Sequence, residues 1–151
     1  MNAPLRDSAG PDRARNIDTV NRFLAGTHGS DIDVVDRTVA RDIVTHGFPG
    51  GNPSSREEYK EWFRTFRSSF SNMSFEALST VADETRVAVR WRVGVDHTGP
   101  FAGVKPTGRR VVFEGVATYR LENGLIVETW LDMDRLALLA GIGALDPAEA
   151  A

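Results

Sequence analysis

The sequence predicts an α+β domain in which helices cover one face of a curved antiparallel sheet. Apolar residues recur at helical spacing up to about residue 70, whereas from residue 75 onward they alternate with polar residues, as in strands. The predicted strands follow one another with short turns, which favours an antiparallel meander. Because a strongly bent sheet covered by helices encloses a space, we expect a pocket between its concave face and the long third helix.

The composition is that of an ordinary globular domain with one core. The chain has 151 residues, of which 41% are hydrophobic and 26% are charged, and its net charge is -3. This charge creates no field that would gather nucleic acid or anionic lipid. No apolar run approaches the roughly 20 residues that span a bilayer. We therefore expect a cytoplasmic protein without nucleic-acid or membrane partners.

The residue types argue against metal and thiol chemistry. The chain contains no cysteine, which excludes disulfides, thiolate metal sites and a thiol nucleophile. Its three histidines, His28, His46 and His97, lack the paired spacing of a zinc site. No dinucleotide-binding or phosphate-binding glycine pattern is present. We therefore expect neither a metal nor a cofactor.

Three helices are predicted in the first half of the chain. The first begins at Asp12 and is ended by "THGS", and "DIDVVDRTVA" forms a short second helix. A short strand, "DIVTHG", and the loop "FPGGNPSS" follow. Ser55 is a candidate N-cap for the third helix, with Glu58 three residues later in a capping-box arrangement. Large aromatic residues form one stripe of that helix: Tyr59, Trp62, Phe63, Phe66 and Phe70.

Four consecutive strands are predicted in the second half. They are "FEALSTVAD", "TRVAVRWRVGVDH", "RRVVFEGVATYRLENG" and "LIVETWLDMD", with "ENG" as a tight hairpin turn between the last two. Asp134 then opens a short amphipathic helix, "RLALLAGIG". We expect residues 1–11 to be a disordered tail without a signal peptide, residues 12–143 to form the domain, and residues 144–151 to be flexible.

The segment "DHTGPFAGVKPTGRRVVFEGVATYRLENGLIVETWLDMDRLALLAGIG" resembles the SnoaL-like polyketide cyclases, or ester cyclases, of the nuclear-transport-factor-like superfamily. The matching features are His97, Gly99 and Phe101, then "GVKPTGRRV", then "YRLENGLIVETW" with Asp134 four residues after Trp130. The resemblance implies a cone-shaped α+β fold and a homodimer formed through the outer face of the sheet. It also implies a cofactor-free aldol ring closure in secondary metabolism such as antibiotic biosynthesis, in which an aspartate removes an α-proton from a polyketide methyl ester.

Two carboxylates near the last strand are candidates for that aspartate. Trp130, Asp132 and Asp134 share one face of the strand, and if this face is concave, desolvation raises the pKa of a carboxyl there toward neutrality. The family match favours Asp134, whereas the epoxide-hydrolase relatives match at Asp132. Asp134 is equally well placed as the N-cap of the following helix, so both assignments stay open.

Three further residues are candidates for binding or electrostatic roles near the carboxylates. His97 ends the second long strand, where it either stabilises an enolate or holds the glycine loop. The family match makes Arg120 a neighbour of the catalytic position across the hairpin, sharing a strand face with Thr118. His46 precedes "GFPGG" and would lie at the mouth of the pocket if the cone forms, although a surface role is equally compatible.

The aromatic residues are candidates for lining a pocket for a flat ligand, and as core residues they would simply attach the helix to the sheet. The predicted ligand-binding residues are His46, Tyr59, Trp62, Phe66, Trp91, Thr118 and Trp130.

The candidate functions fall into three classes. The first is a cofactor-independent acid/base enzyme on a hydrophobic, carbonyl-bearing small molecule, most simply a polyketide cyclase. The second is another enzyme of the same fold, such as a ketosteroid isomerase or an epoxide hydrolase or cyclic-ether-forming cyclase. The third is a non-catalytic binding or dimerisation module, which a side-chain-filled pocket would favour.

Overall fold

The computed structural model describes residues 10–145. The predicted tail falls mostly outside this range, as does most of the predicted flexible C-terminus. Four helices and five strands follow one another in the order α1 (Gly10–Thr27), α2 (Val34–Thr38), β1 (Val39–His46), α3 (Arg56–Ser69), β2 (Phe70–Ala82), β3 (Arg86–His97), β4 (Arg110–Glu122), β5 (Leu125–Met133) and α4 (Arg135–Gly141).

The five strands form one curved, unclosed sheet with the order β1-β5-β4-β3-β2. Strands β2 to β5 make the antiparallel meander that the alternating pattern predicts. Strand β1 pairs in parallel with β5, so that His46 lies beside Trp130. The sequence indicates a strand at β1, but its parallel pairing joins segments about 80 residues apart and leaves no local signature.

Local signals account for the turn and the cap that frame the site. Asn123 and Gly124 have φ values of 50° and 75°, the left-handed conformation that a two-residue hairpin between β4 and β5 requires. The hydroxyl of Ser55 accepts a hydrogen bond from the Glu58 backbone N–H at 3.1 Å, as the capping pattern predicts. The reciprocal contact is made by Ser54, whose N–H donates to the Glu58 carboxylate at 2.7 Å.

Helices α1 and α3 cover the inner face of the sheet through aromatic contacts. Phe23 of α1 lies with its ring centroid 5.6 Å from Tyr59, 5.9 Å from Phe63 and 5.7 Å from Tyr119. The stripe predicted on α3 therefore faces the sheet, with Tyr59 and Phe63 buried. Phe70, predicted as part of this stripe, is instead the first residue of β2, because the helix ends at Ser69. This packing places the core and the enclosed space on the same face of the sheet.

The outer face of the sheet is polar and exposed along its middle strands. Arg92 pairs across strands with Glu114 at 3.0 Å and with Glu76 at 3.4 Å, and Arg90 contacts Glu114 at 3.5 Å. Trp91, between the two arginines, is buried on the inner face. Arg90 and Arg92 thus act as cross-strand partners on the outside. Within residues 10–145, no helix is both long and apolar enough to cross a membrane.

Candidate functional site

An aromatic cavity lies between the two long helices and the inner face of the sheet. Its volume is about 60 Å³, and its walls come from α1, α3, all strands except β1, and the segments that follow α1 and β1, which contribute His28 and Phe48. Aromatic side chains prominent in its lining are Phe23, Phe63, Phe75, Trp91 and Phe113. Four of the predicted ligand-binding residues also line it: Tyr59, Trp62, Phe66 and Trp91.

Three hydroxyl groups interrupt the aromatic lining. Tyr59, Tyr119 and Thr129 all border the cavity and are buried. Burial raises the pKa of the Tyr59 phenol well above its ordinary value, and the nearby Tyr119 adds to this, whereas a hydrogen bond with Thr129 opposes it. Burial likewise raises the pKa of Tyr119. Both phenols therefore stay protonated at neutral pH and can donate hydrogen bonds into the cavity.

The imidazole of His28 and the guanidinium-bearing Arg67 also border the cavity. Nδ1 of His28 lies 3.1 Å from the Leu24 carbonyl oxygen and 3.2 Å from Thr27 Oγ1. Its ring stacks on Phe75 with a centroid distance of 4.3 Å. The pKa of His28 is lowered to about 4, chiefly by burial; the hydrogen bond with the Leu24 carbonyl opposes this, and the positive charge of Arg67 adds a smaller lowering effect. His28 is therefore neutral at pH 7.

A larger groove lies beside the cavity and shares two of its wall residues. The groove has a volume of about 730 Å³ and is formed by the Pro49–Pro53 loop, α3, α4 and the segment around Phe101. Trp62 and Phe66 border both spaces and stack on each other with a centroid distance of 5.5 Å. The Trp62 indole N–H donates to the Pro49 carbonyl at 3.0 Å. These two aromatic rings thus separate the groove from the cavity.

Strand β5 turns the face opposite to the two acids toward the cavity. Thr129, Leu131 and Met133 line it, whereas Asp132 is exposed. The sequence-based hypothesis required the face of β5 that carries Trp130 and Asp132 to be concave. In the structure the concave face is instead the one that carries Thr129, Leu131 and Met133. The physical reason is that Leu131 and Met133 gain from burial, while a carboxylate without a partner keeps its solvation outside.

Asp134 is exposed and caps α4. One carboxylate oxygen accepts a hydrogen bond from the Ala137 N–H at 2.9 Å, as the capping alternative predicts. Asp134 is not among the residues that line the cavity. A catalytic role for this residue stays a prediction of the family resemblance.

Replacing Asp134 separates capping from chemistry. We expect Asp134→Ala to lower the free energy of unfolding by about 1 kcal/mol, because Ala137 loses its acceptor. Asp134→Asn retains a good cap but removes the carboxylate, so its urea midpoint should stay near that of the wild type. A large loss of activity in Asp134→Asn at unchanged stability would contradict a purely capping role.

The remaining polar candidates meet on the outer face of the sheet. His46 Nε2 lies 2.8 Å from one Glu128 oxygen, and Arg120 Nε donates to the other at 3.0 Å. The hydrogen bond from His46 and then that from Arg120 hold the pKa of Glu128 below its ordinary value. His46 stacks on Trp130 at 5.2 Å, and Trp130 pairs across the hairpin with Thr118.

The predicted site residues His46, Thr118, Arg120 and Trp130 are therefore not among the residues that line the cavity. Arg120 lies opposite Glu128 in the β4–β5 register, and Asp132 lies opposite Val116. The prediction that Arg120 lies beside a catalytic aspartate therefore does not agree with this register, in which Arg120 is paired with Glu128. An irregularity between Arg120 and Leu121 sets the local pairing, and the sequence alone does not reveal it.

His97 is buried and holds the glycine loop. The backbone N–H of Thr107 donates to Nδ1 of His97 at 3.2 Å, and the Thr107 hydroxyl lies 2.9 Å from the same atom. Nδ1 is therefore the unprotonated nitrogen and Nε2 carries the proton. Nε2 has no hydrogen-bond partner among the described residues, and His97 is not among the residues lining the cavity. The contacts match the loop-holding alternative.

Sequence reasoning missed four polar residues of the cavity: His28, Arg67, Tyr119 and Thr129. Thr129 had a usable signal, because it alternates with Leu131 and Met133, and the more apolar face of a strand is the better candidate for the inside. His28 lies in the turn directly after α1 and gives no local signal. Within residues 10–145, no group of three or more His, Cys, Asp or Glu residues is arranged to hold a metal ion.

With this geometry the chain belongs to the SnoaL-like polyketide cyclase family, whose model matches residues 17–142. Solved structures support the same fold. A provisionally assigned SnoaL-like polyketide cyclase from Jannaschia sp. CCS1 matches with a TM-score of 0.81 and 23% identity, over 89% of this chain and 95% of that one.

Two Streptomyces proteins are similar at somewhat higher identity. AclR from Streptomyces galilaeus, provisionally a hydroxylase, is 28% identical, with a TM-score of 0.78 over 88% of this chain and 98% of its own. IdmH from Streptomyces antibioticus, provisionally a polyketide cyclase, is 26% identical, with a TM-score of 0.74 over 85% and 98%. No protein with a curated description matches the chain significantly.

Proposed function

We propose that this protein is a cofactor-independent acid/base enzyme that closes a ring in a hydrophobic, carbonyl-bearing polyketide. The observation that carries the proposal is the hydroxyl cluster of Tyr59, Tyr119 and Thr129 in an otherwise aromatic cavity. An aromatic wall binds a flat apolar molecule, and a few convergent donors orient its carbonyl. Family membership supports the reaction class.

The hydroxyl cluster suits the stabilisation of an enolate. Removing a proton next to a carbonyl places negative charge on the carbonyl oxygen, and donors fixed in a space of low dielectric stabilise that charge strongly. Because burial raises the pKa of both tyrosines, the phenols donate without losing their own protons. The enolate carbon is then free to attack a second carbonyl of the same molecule, which forms the ring.

The size of the two spaces determines how such a substrate binds. A cavity of about 60 Å³ is smaller than the roughly 150 Å³ in which an apolar site holds one benzene. The neighbouring groove of about 730 Å³ is large enough for several rings. We therefore place the reacting carbonyl in the cavity and the rest of the molecule in the groove, with Trp62 and Phe66 moving apart to join them.

A non-catalytic binding module is the second candidate function. Two observations favour it: the cavity has a volume of only about 60 Å³, and the Asp134 carboxylate accepts its hydrogen bond from a helix N–H. The epoxide-opening alternative has less support, since it needs an aspartate, an arginine and a second acid in contact. Asp132 has no ion pair among the described residues, and Asp96 pairs with Arg110 at 3.2 Å instead of with Arg92.

Exchange of α-protons in a model β-keto ester distinguishes the enzyme from the binding module. Methyl 3-(2-naphthyl)-3-oxopropanoate offers a bicyclic ring and an activated methylene group, and NMR in D₂O follows the loss of its α-protons. We expect wild-type protein to accelerate exchange by about a hundredfold over buffer. Binding of the ester, measured by tryptophan fluorescence, without acceleration would support the binding module instead.

Removal of the cavity hydroxyls tests their role in this exchange. We expect Tyr59→Phe and Thr129→Val each to slow the catalysed exchange by about 10- to 100-fold while ester binding weakens much less, because the donors act mainly on the developing charge. Thr80→Val is the matched control, since it removes an exposed hydroxyl of β2. Equal rates in Tyr59→Phe, Thr129→Val and the control would contradict the proposed role.

A further inference from the structure

We propose that His28 is the catalytic base of the cavity and that its Nε2 accepts the α-proton of the substrate. This inference deepens the proposed function and rests on it. Among the described residues that line the cavity there is no carboxylate. The proton acceptor that ring closure needs must then come from another group at the cavity, and His28 is the group there with a free basic nitrogen.

Two hydrogen bonds determine which imidazole nitrogen is free. Nδ1 of His28 lies 3.1 Å from the Leu24 carbonyl oxygen, which can act only as an acceptor. Nδ1 also contacts Thr27 Oγ1, whose own proton is donated to the Phe23 carbonyl at 2.8 Å. Both contacts require the proton to be on Nδ1. In the neutral imidazole, Nε2 therefore carries the lone pair.

The ring is held so that this lone pair is directed away from α1. Because Nδ1 is turned toward the backbone of α1, the helix that precedes His28, Nε2 lies on the far side of the ring. Phe75 stacks on the imidazole, and Phe63 meets it edge-on at 6.2 Å. Within residues 10–145, Nε2 of His28 makes no hydrogen bond, and the atom keeps some accessible surface. The geometry leaves Nε2 available to a ligand in the cavity.

The charges around His28 favour a neutral base. The titratable or charged residues that share the cavity with it are Arg67 and Tyr59 from α3 and Tyr119 from β4. Arg67 is cationic and donates to the Thr27 carbonyl, while both phenols are neutral. Burial and then the Arg67 charge keep the pKa of His28 low, at about 4. This is the basicity of an ordinary carboxylate, about 3.9 to 4.3, without the cost of burying an anion among aromatic rings.

The proposed ring closure conserves protons and electrons and needs no co-reactant. Nε2 takes the proton as the substrate C–H bond breaks, and the electron pair moves into the enolate. The enolate carbon then forms a bond to the acceptor carbonyl, whose oxygen becomes an alkoxide. The imidazolium returns its proton to that alkoxide, which regenerates neutral His28.

His28→Gln tests the inference through exchange of the same naphthyl β-keto ester. We expect the exchange rate to fall by about 10²-fold, to the rate in buffer, while ester binding stays within a few-fold, because the base is lost and the cavity remains. In wild type the rate should rise with pH through a midpoint of about 4 and be level from pH 5.5 to 8, since the reactive form is the neutral imidazole. His28→Gly should regain activity when imidazole is added.

The outcomes separate the two proposals. Exchange in wild type that His28→Gln retains within threefold, or that imidazole does not restore in His28→Gly, overturns the role of His28 and leaves the proposed function standing. No exchange in wild type overturns both. Side-chain ¹⁵N NMR of wild type checks the geometry independently of activity: a neutral ring protonated on Nδ1 supports the inference, and a proton on Nε2 overturns it.

The pH dependence of stability checks that the His28 variant is folded and that the native ring is desolvated. Because the folded pKa lies below the ordinary 6.5, the unfolded chain binds more protons between about pH 4 and 6.5, so this contribution to stability is present above pH 6.5 and is lost as the pH falls toward 4. His28→Gln should lack that part of the slope. The same slope in both proteins would contradict the desolvated site on which the inference depends.

Discussion

Phe23→Ala is expected to lower the free energy of unfolding by about 3 to 5 kcal/mol, the usual range for deleting a buried aromatic ring. Phe23 is 1% exposed and its ring meets those of Tyr59, Phe63 and Tyr119, which come from α3 and β4. Its loss removes the aromatic contacts that α1 makes with both elements. The void that results would be continuous with the aromatic cavity that Phe23 lines.

Urea unfolding followed by circular dichroism measures this change. Phe23→Leu is the control, because it keeps much of the volume and should cost clearly less than the alanine variant. A loss below about 1.5 kcal/mol in Phe23→Ala would show that the helices close the void and that the core is more plastic than its ring contacts indicate. Stabilisation of the alanine variant by added benzene would confirm that the void stays open.

Gly47→Ala is expected to cost about 3 kcal/mol of stability, because two unfavourable effects coincide. Gly47 has a φ of 81°, in the left-handed region that a residue with a Cβ rarely adopts. A Cβ at this position would overlap the Leu131 carbonyl oxygen of β5. Since the Gly47 carbonyl also accepts a hydrogen bond from Arg135 at 2.6 Å, displacement of this residue disturbs the start of α4.

Gly50→Ala is the matched control for that prediction. Gly50 has nearly the same φ of 83°, but a Cβ there would meet no atom within 4 Å. It should therefore show the backbone strain alone, about 1 kcal/mol. Thermal and urea unfolding of the two variants give the difference, and equal losses would mean that the contact with Leu131 relaxes without cost.

The elements of the fold were predictable because their signals are local. The capping serine before α3, the Asn123–Gly124 turn and the alternation along β3 to β5 each depend on residues a few positions apart. The parallel pairing of β1 with β5 was not predictable in this way. It depends on a contact between distant segments that the sequence does not mark.

The site was predicted less well, and the strand β5 explains why. Alternation correctly separated Thr129, Leu131 and Met133 from Trp130 and Asp132 as two faces. It does not state which face the helices cover. The resemblance directed attention to the acidic face, whereas the cavity lies on the other, where Thr129 joins Tyr59 and Tyr119. The homodimer implied by the same resemblance stays a prediction.

By itself, the sequence determined the family, the order of elements and the pairs of residues that share a face, because these follow from short-range periodicity and motif spacing. Only the tertiary structure decided that His28, from the turn after α1, borders the same cavity as hydroxyls from α3, β4 and β5. It also decided that Asp132 stays in water. Both outcomes depend on how α1 and α3 pack against the sheet. That packing is set over the whole domain by two opposing effects, the gain from burying apolar surface and the cost of desolvating charged groups.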